Sequence, residues 1–327
     1  MYINAAHYYL PKIFGILSFL VNPIFVYLIF SDKKSAIGNY RYLLLYFASF
    51  NILYSISDIT IPMATWGYRY TFCLFTVDGF FKDLSFTNKK LLAARCAMIS
   101  CSYAILLVHF AFRYMVVSGT EMTGRKFKQF MACSFLLTIA HFVLWDAVVE
   151  LLIIGTPETM GYIRKQFAEE FHDDSMKLNI VISIYNEVSS EQIEKSYIGI
   201  AIMTSIATYS TVLYIVLGVK IIGRLNQMNT GMSEKSRNMQ RDLFRALVIQ
   251  TVIPICVSYA PCSVAWYLPI GNMHMGYNFN SIGIIAISTF PVFDPVAIIL
   301  CLPVLRNRFW RKEEVAIIPA AMTVTEN

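Results

Sequence analysis

Long apolar runs alternate with short stretches that hold nearly all the charge of the chain. Ile13 to Ser31 and Ser196 to Val219 contain no Asp, Glu, Lys or Arg. Tyr42 to Tyr68 contains only Asp58, Leu91 to Phe112 only Arg95, and Gln129 to Leu152 only Asp146 and Glu150. A bilayer core ~30 Å thick takes a helix of about 20 apolar residues. Lipid offers no hydrogen-bond partners, so such a helix must satisfy its own backbone. The uncharged run from Ala246 to Phe293 is long enough to cross twice, and the turn-rich stretch Pro269 to Asn278 divides it. The pattern therefore predicts an all-α membrane protein. It is a seven-transmembrane helix bundle with spans over about 10–31, 42–65, 90–115, 129–152, 196–222, 243–269 and 279–302. Unbroken runs of this length argue against a β-barrel, whose strands alternate over ~10 residues.

The charges between the runs set the expected orientation. Lys and Arg collect on the cytoplasmic side of a membrane protein. The segments around residues 33–41, 113–128, 220–245 and 306–312 hold seventeen of them, and the alternate set holds nine. The N-terminus is accordingly expected outside and the C-terminus inside. The long segment from Gly155 to Lys195, with eight acids against four bases, then reads as an outer loop. Residues 1–305 form the bundle. The tail 306–327 begins with a short amphipathic stretch, Val304 to Lys312, suited to the inner leaflet, and Val315 to Asn327 is expected to be disordered.

Composition agrees. Of 327 residues, 57% are hydrophobic and 15% charged, against roughly 25% charged in soluble proteins. The net charge of +6 lies in the connecting segments, which argues against a nucleic-acid partner. The seven cysteines form no C-x-x-C pair, and six of them, all but Cys73, sit in apolar runs and read as small buried side chains. No metal or cofactor is expected. No G-x-S-x-G or H-E-x-x-H motif is present, so an enzyme is not expected.

Four local patterns narrow the reading. Ile37-Gly-Asn-Tyr-Arg-Tyr42 leads into span two, with Tyr54-Ser-Ile-Ser-Asp58 and Pro62 beyond. Span three ends His109-Phe-Ala-Phe-Arg-Tyr114. Span six carries Pro254 and then Tyr259-Ala-Pro261, and span seven ends Phe290-Pro-Val-Phe-Asp-Pro-Val-Ala-Ile-Ile299 before Arg306-Asn-Arg308. In this order the patterns resemble the nematode seven-transmembrane serpentine chemoreceptors of the class r (Str) family, divergent relatives of rhodopsin-like receptors. The resemblance implies an odorant receptor of the plasma membrane in sensory cilia that binds a small, volatile molecule and couples to a heterotrimeric G protein. The chain departs from the wider rhodopsin-like pattern. No acid precedes Arg113, Asp294 and Ile298 replace the usual Asn and Tyr, and the segment 155–195 has no cysteine to bridge to span three. The alternative reading is a seven-span transporter or ligand-gated channel. An odd number of spans without visible repeats disfavours it.

Several residues carry candidate roles. Arg113 and Tyr114 either contact the G-protein α-subunit or serve as positive-inside anchors, and the resemblance favours the first. Pro254 and Pro261 lie seven apart on one face of span six, and each removes a backbone hydrogen bond. They mark a switching kink, or are prolines of the kind membrane helices tolerate. Asp294 lies ~22 Å along span seven, and Pro295 frees a carbonyl one turn back, so the pair is expected to act as a switch. Asp58, ~24 Å into span two, and Asp146, Glu150 and Arg95 near outer span ends either line a ligand cavity, pair with each other, or snorkel to the interface. Trp145, Tyr259 and Trp266 are expected to wall the same cavity. The N-terminal tail is too short to form a binding domain. A small, largely apolar ligand is therefore expected to enter the bundle from outside, under the acidic loop, with membrane lipid as the surrounding partner.

Overall fold

The computed structural model describes residues 1, 3–31, 38–227, 234–273 and 277–310. The apolar runs fold into helices α1 (Ala5–Phe30), α2 (Tyr40–Thr60), α3 (Phe86–Val117), α4 (Gly124–Val148) and α6 (Ser190–Gln227). The last two crossings are α7 (Glu234–Pro254) with α8 (Ala260–Tyr267), and α9 (Tyr277–Cys301), which is followed by the short α10 (Pro303–Trp310). Among the described residues six helices are long and apolar enough to cross a membrane. The remaining crossing is α7 and α8 in series, joined by a π-helical turn, Ile255–Tyr259. A second π-helical turn, Val149–Ile153, extends α4.

Packing and exposure explain the arrangement. α3 is the most buried of the long helices and packs against α4 and α6, while α1 packs on α2 and α9. Large apolar side chains such as Ile16, Leu20, Tyr27, Leu136, Val143 and Ile215 stay exposed on α1, α4 and α6. In water such a surface would be a liability; around a bundle it is the face that meets lipid tails.

One end of the bundle departs from the expected spans. α2 stops at Thr60, and Met63–Tyr68 is strand β1, not the outer end of a helix. A two-residue turn, Arg69-Tyr70, returns the chain as β2 (Thr71–Thr76). The segment 155–195, expected to be a loop, forms α5 (Pro157–Phe171) and β3 (Ile180–Ile184). The three strands make an antiparallel sheet in the order β1-β2-β3. Both faces of the sheet are covered. Phe72, Leu74 and Val181 pack toward the bundle. Trp66, Cys73, Phe75 and Ile182 pack against Ile163, Phe167 and Phe171 of α5. α5 begins with a Thr156 cap on the Thr159 amide and Pro157 in its first turn, a favourable helix start. Gly155 lets the chain close on β3: its N–H donates to the Ile180 carbonyl at 2.7 Å, and a Cβ there would lie 2.8 Å from that oxygen.

The cysteines also differ from expectation. Cys96 and Cys101 are buried, but Cys133 and Cys256 are exposed on the bundle's outer surface and Cys262 and Cys301 are half-buried. Cys73, in β2, is fully buried, and burial raises its thiol pKa far above the usual range. At the tail, α10 occupies the first part of the expected amphipathic stretch. Lys312 and the residues expected to be disordered, 315–327, lie outside the described residues.

Candidate functional site

Below the sheet the bundle encloses a cavity of about 320 Å³. Phe72, Leu74 and Thr65 form its roof, and Tyr103 of α3, Trp145 of α4, Thr204, Thr208 and Thr211 of α6, Tyr259 and Trp266, and Ile284 of α9 form its walls. The aromatic groups are packed together. The Tyr103 and Tyr259 ring centroids lie 4.4 Å apart, and Trp266 sits 6.1 Å from Trp145 and 6.0 Å from Phe72. Tyr259 closes the π-helical turn, and its hydroxyl hydrogen-bonds the Ser102 hydroxyl at 2.7 Å. Among the described residues no Asp, Glu, Lys or Arg lines the cavity. Apolar and aromatic walls with a few hydroxyls suit a small neutral guest.

The charged residues expected around a ligand lie elsewhere. Arg95 and Asp58 pair with each other at 2.5 Å, only 1% and 3% exposed, and the Arg95 guanidinium stacks 4.3 Å from the Tyr54 ring centroid. Neither lines the cavity, because the pair lies on the α2 side of α3. Asp146 follows Trp145 directly, and a helix turns each successive side chain by about 100°; Trp145 reaches the cavity and Asp146 does not. Glu150 meets Lys90 at 3.4 Å, near the sheet end.

A polar seam runs through α1, α2 and α9. Pro295 has no N–H to donate to the carbonyl of Pro291, four residues back. Asn22 supplies the missing donor: its side-chain amide reaches the Pro291 carbonyl at 2.9 Å. Asn51 in turn donates to the Asn22 amide oxygen at 3.2 Å. Asp294 is buried beside this seam, with no salt bridge to it among the described residues. Reasoning from the sequence identified Asp294 and Pro295 and missed Asn22 and Asn51. The signal was available, since each is a polar residue in the middle of an apolar run.

At the other end of the bundle Arg113 is buried. Its guanidinium lies 3.6 Å from the Tyr40 ring centroid and donates to the Gln240 side-chain oxygen at 3.1 Å, tying α3 to α2 and α7. The Tyr40 hydroxyl also bonds His109 Nδ1 at 2.9 Å. Tyr114, by contrast, is half-buried beside Lys220 and Arg224 in a shallow, open depression between α3 and α6. Tyr40 and Gln240 were not foreseen: neither carries a charge, and Tyr40 drew notice only as part of the pattern leading into span two. Pro254 and Pro261 bracket the π-helical turn, and Tyr259 ends it.

The helices, their packing around α3 and the cavity at one end define a seven-span receptor of the rhodopsin fold. The chain superposes on squid rhodopsin with a TM-score of 0.60 at 13% identity, covering 94% of this chain and 85% of that one. The family is narrower than the fold: residues 1–309 match the serpentine type seven-transmembrane G-protein-coupled chemoreceptors of the Srj family, and the chain belongs to that family. It is 40% identical over 306 residues to the serpentine receptor class J-38 of Caenorhabditis elegans, covering 93% of both chains. Similarity to the class r-10 serpentine receptor of the same nematode is lower, 24% over 87% of this chain and 84% of that one. The Srj family belongs to the same serpentine chemoreceptors that the local patterns resembled, and class r and str receptors are among the matches of this chain.

Proposed function

We propose that the chain is a chemosensory receptor of the plasma membrane, in a sensory cilium. It takes a small, neutral, volatile molecule into the cavity below the sheet and activates a heterotrimeric G protein at the opposite end. The sheet end then faces outward, in keeping with the Lys and Arg collected at the other end. One observation carries the reading. Tyr259 in the cavity wall and Gln240 on Arg113 belong to the same crossing, α7–π-turn–α8. The two residues are nineteen apart, or ~28 Å along a helix.

A ligand that displaces Tyr259 from Ser102 acts at the joint between Pro254 and Pro261, where the helix already lacks regular hydrogen bonds. π-turns are frequent at functional sites, and a bent helix moves its far end as a lever. Movement of α7 separates Gln240 from Arg113. The freed guanidinium and Tyr114 then face the cytosol, where a G-protein α-subunit docks. A ligand shifts this equilibrium only as far as it prefers one arrangement.

The test is a G-protein reporter in cells expressing the chain, screened with small volatiles. Arg113→Ala is expected to abolish ligand-evoked signalling while ligand binding to purified protein persists; equal signalling by the variant removes Arg113 from the coupling step. A ligand-evoked current that survives G-protein blockade points to a channel instead.

A further inference from the structure

On the sheet side the described residues close the cavity. Its roof residues Thr65, Phe72 and Leu74 are all buried, as is every residue of β2. The exposed residues among its walls lie elsewhere: Thr208 and Val212 on α6 face Ala260, Ser263 and Tyr267 on α8. These two groups border one seam. The surface around that seam is apolar, with Leu213, Val252 and Val264 exposed on either side of it, a surface suited to lipid tails. At the sheet end the seam is fastened, among the described residues, by a hydrogen bond of 2.6 Å between the Thr204 and Tyr267 hydroxyls.

From this we infer that the ligand reaches the cavity from within the bilayer, through the seam between α6 and α8, and that it belongs to the class of small, uncharged, membrane-partitioning molecules. A bilayer concentrates such molecules, so a receptor with a lateral portal samples the membrane concentration and not the aqueous one. A charged or strongly hydrated molecule is excluded twice, by the lipid outside the seam and by walls without a charged side chain. The Thr204–Tyr267 bond is the latch of the portal. The inference deepens the assignment of the cavity as the ligand site.

The experiment uses the full chain in phospholipid vesicles and two photoreactive probes, an apolar phenyl diazirine and its sulfonated, membrane-impermeant counterpart. The apolar probe is expected to label Tyr103 inside the cavity, and the sulfonated probe is not. Ala260→Trp, which fills the seam, should cut labelling of Tyr103 several-fold while labelling of the lipid-facing Tyr27 on α1 stays constant. Tyr267→Phe, which removes the latch, should raise the rate of Tyr103 labelling. A misfolded protein would not change in these two opposite directions with Tyr27 constant. Tyr103 labelled by the sulfonated probe, or labelled by the apolar probe at an unchanged rate in both variants, overturns the portal. The readout needs no G protein, so failure of the coupling tests leaves this result standing, and the reverse holds too.

Discussion

Asp58 and Arg95 are the sole charges of their apolar runs, and each is buried against the other. Two buried charges gain little over two well-packed apolar groups, but removing one leaves the other stranded at a cost of about 3–5 kcal/mol. Arg95→Ala is therefore expected to lower unfolding stability in detergent by about that amount, and Arg95→Met combined with Asp58→Leu by much less. Similar losses in the single and double variants would mean that the pair is not the origin of the cost. Asn22 obeys the same logic on a smaller scale. Asn22→Ala strands the Pro291 carbonyl, and membrane hydrogen bonds are worth about 0.6–2 kcal/mol. A loss of stability in that range is expected, and a smaller one when Pro295 is also replaced by Ala, because the alanine restores an N–H that donates to the Pro291 carbonyl.

At the scale of elements, the sheet and α5 are where sequence patterns and structure part. Long apolar runs predicted the bundle helices, because burial in lipid demands an apolar side chain at nearly every position. β1 and β2 obey the same demand for a different reason. Strands covered on both faces lose the alternation that identifies a half-buried strand, so Met63 to Tyr68 read as a continuation of span two. Their turn, Arg69-Tyr70, lacks the Asn-Gly signature of tight hairpins, although Arg69 adopts a positive φ of 48°. α5 was legible in principle: Met160, Ile163, Phe167 and Phe171 repeat at helical spacing behind Thr156-Pro157. The acidic character of the segment obscured that stripe.

The same end carries a pH dependence. The Tyr8 hydroxyl, then the Gly79 amide and Lys12, hold the Asp78 carboxyl below its usual range. Arg164 does the same for Asp174. Burial opposes the shift at Asp173, but Lys82 and the Asp174 amide outweigh it. Lowered carboxylate values stabilise the fold above the ordinary value of about 3.9. That contribution fades as the pH falls through the shifted values. Amide exchange in β1–β3 is expected to quicken selectively at acidic pH, while exchange in α3 stays slow. Uniform acceleration across both would remove these three carboxylates as the cause.

For the whole molecule, the central position of α3 makes one helix a party to the buried ion pair, the cavity wall and the Arg113 site. It carries Arg95, Ser102, Tyr103 and Arg113, and through Ser100 it meets His141 of α4, which also bonds Tyr209 of α6. In the proposed mechanism the far ends communicate by displacement of α7 against this post. Gln240→Ala removes the tie without touching the cavity, so it is expected to raise signalling in the absence of ligand, read as basal reporter output at matched surface expression. An unchanged baseline would locate the resting restraint elsewhere, with Tyr40 next to be tested. The role proposed for Arg113 follows from its place at the end of span three. Its partners could not be expected, since they come from distant runs brought together only by the packing of the bundle.

The register of the sheet also sets an order of assembly. β1 and β2 adjoin in the chain, but β2 pairs on its other side with β3, Thr71 opposite Ile184. Synthesis must pass through α3, α4 and α5 before that pairing exists. The nascent hairpin therefore waits, greasy and unaccompanied, while two crossings are threaded behind it. Contacts so far apart in the chain form slowly, and an unpaired apolar strand invites wrong partners in the interval. A chain cut short before Ile180 would hold its first helices in the bilayer with an uncapped mouth, and the quality-control machinery of the cell would meet it there.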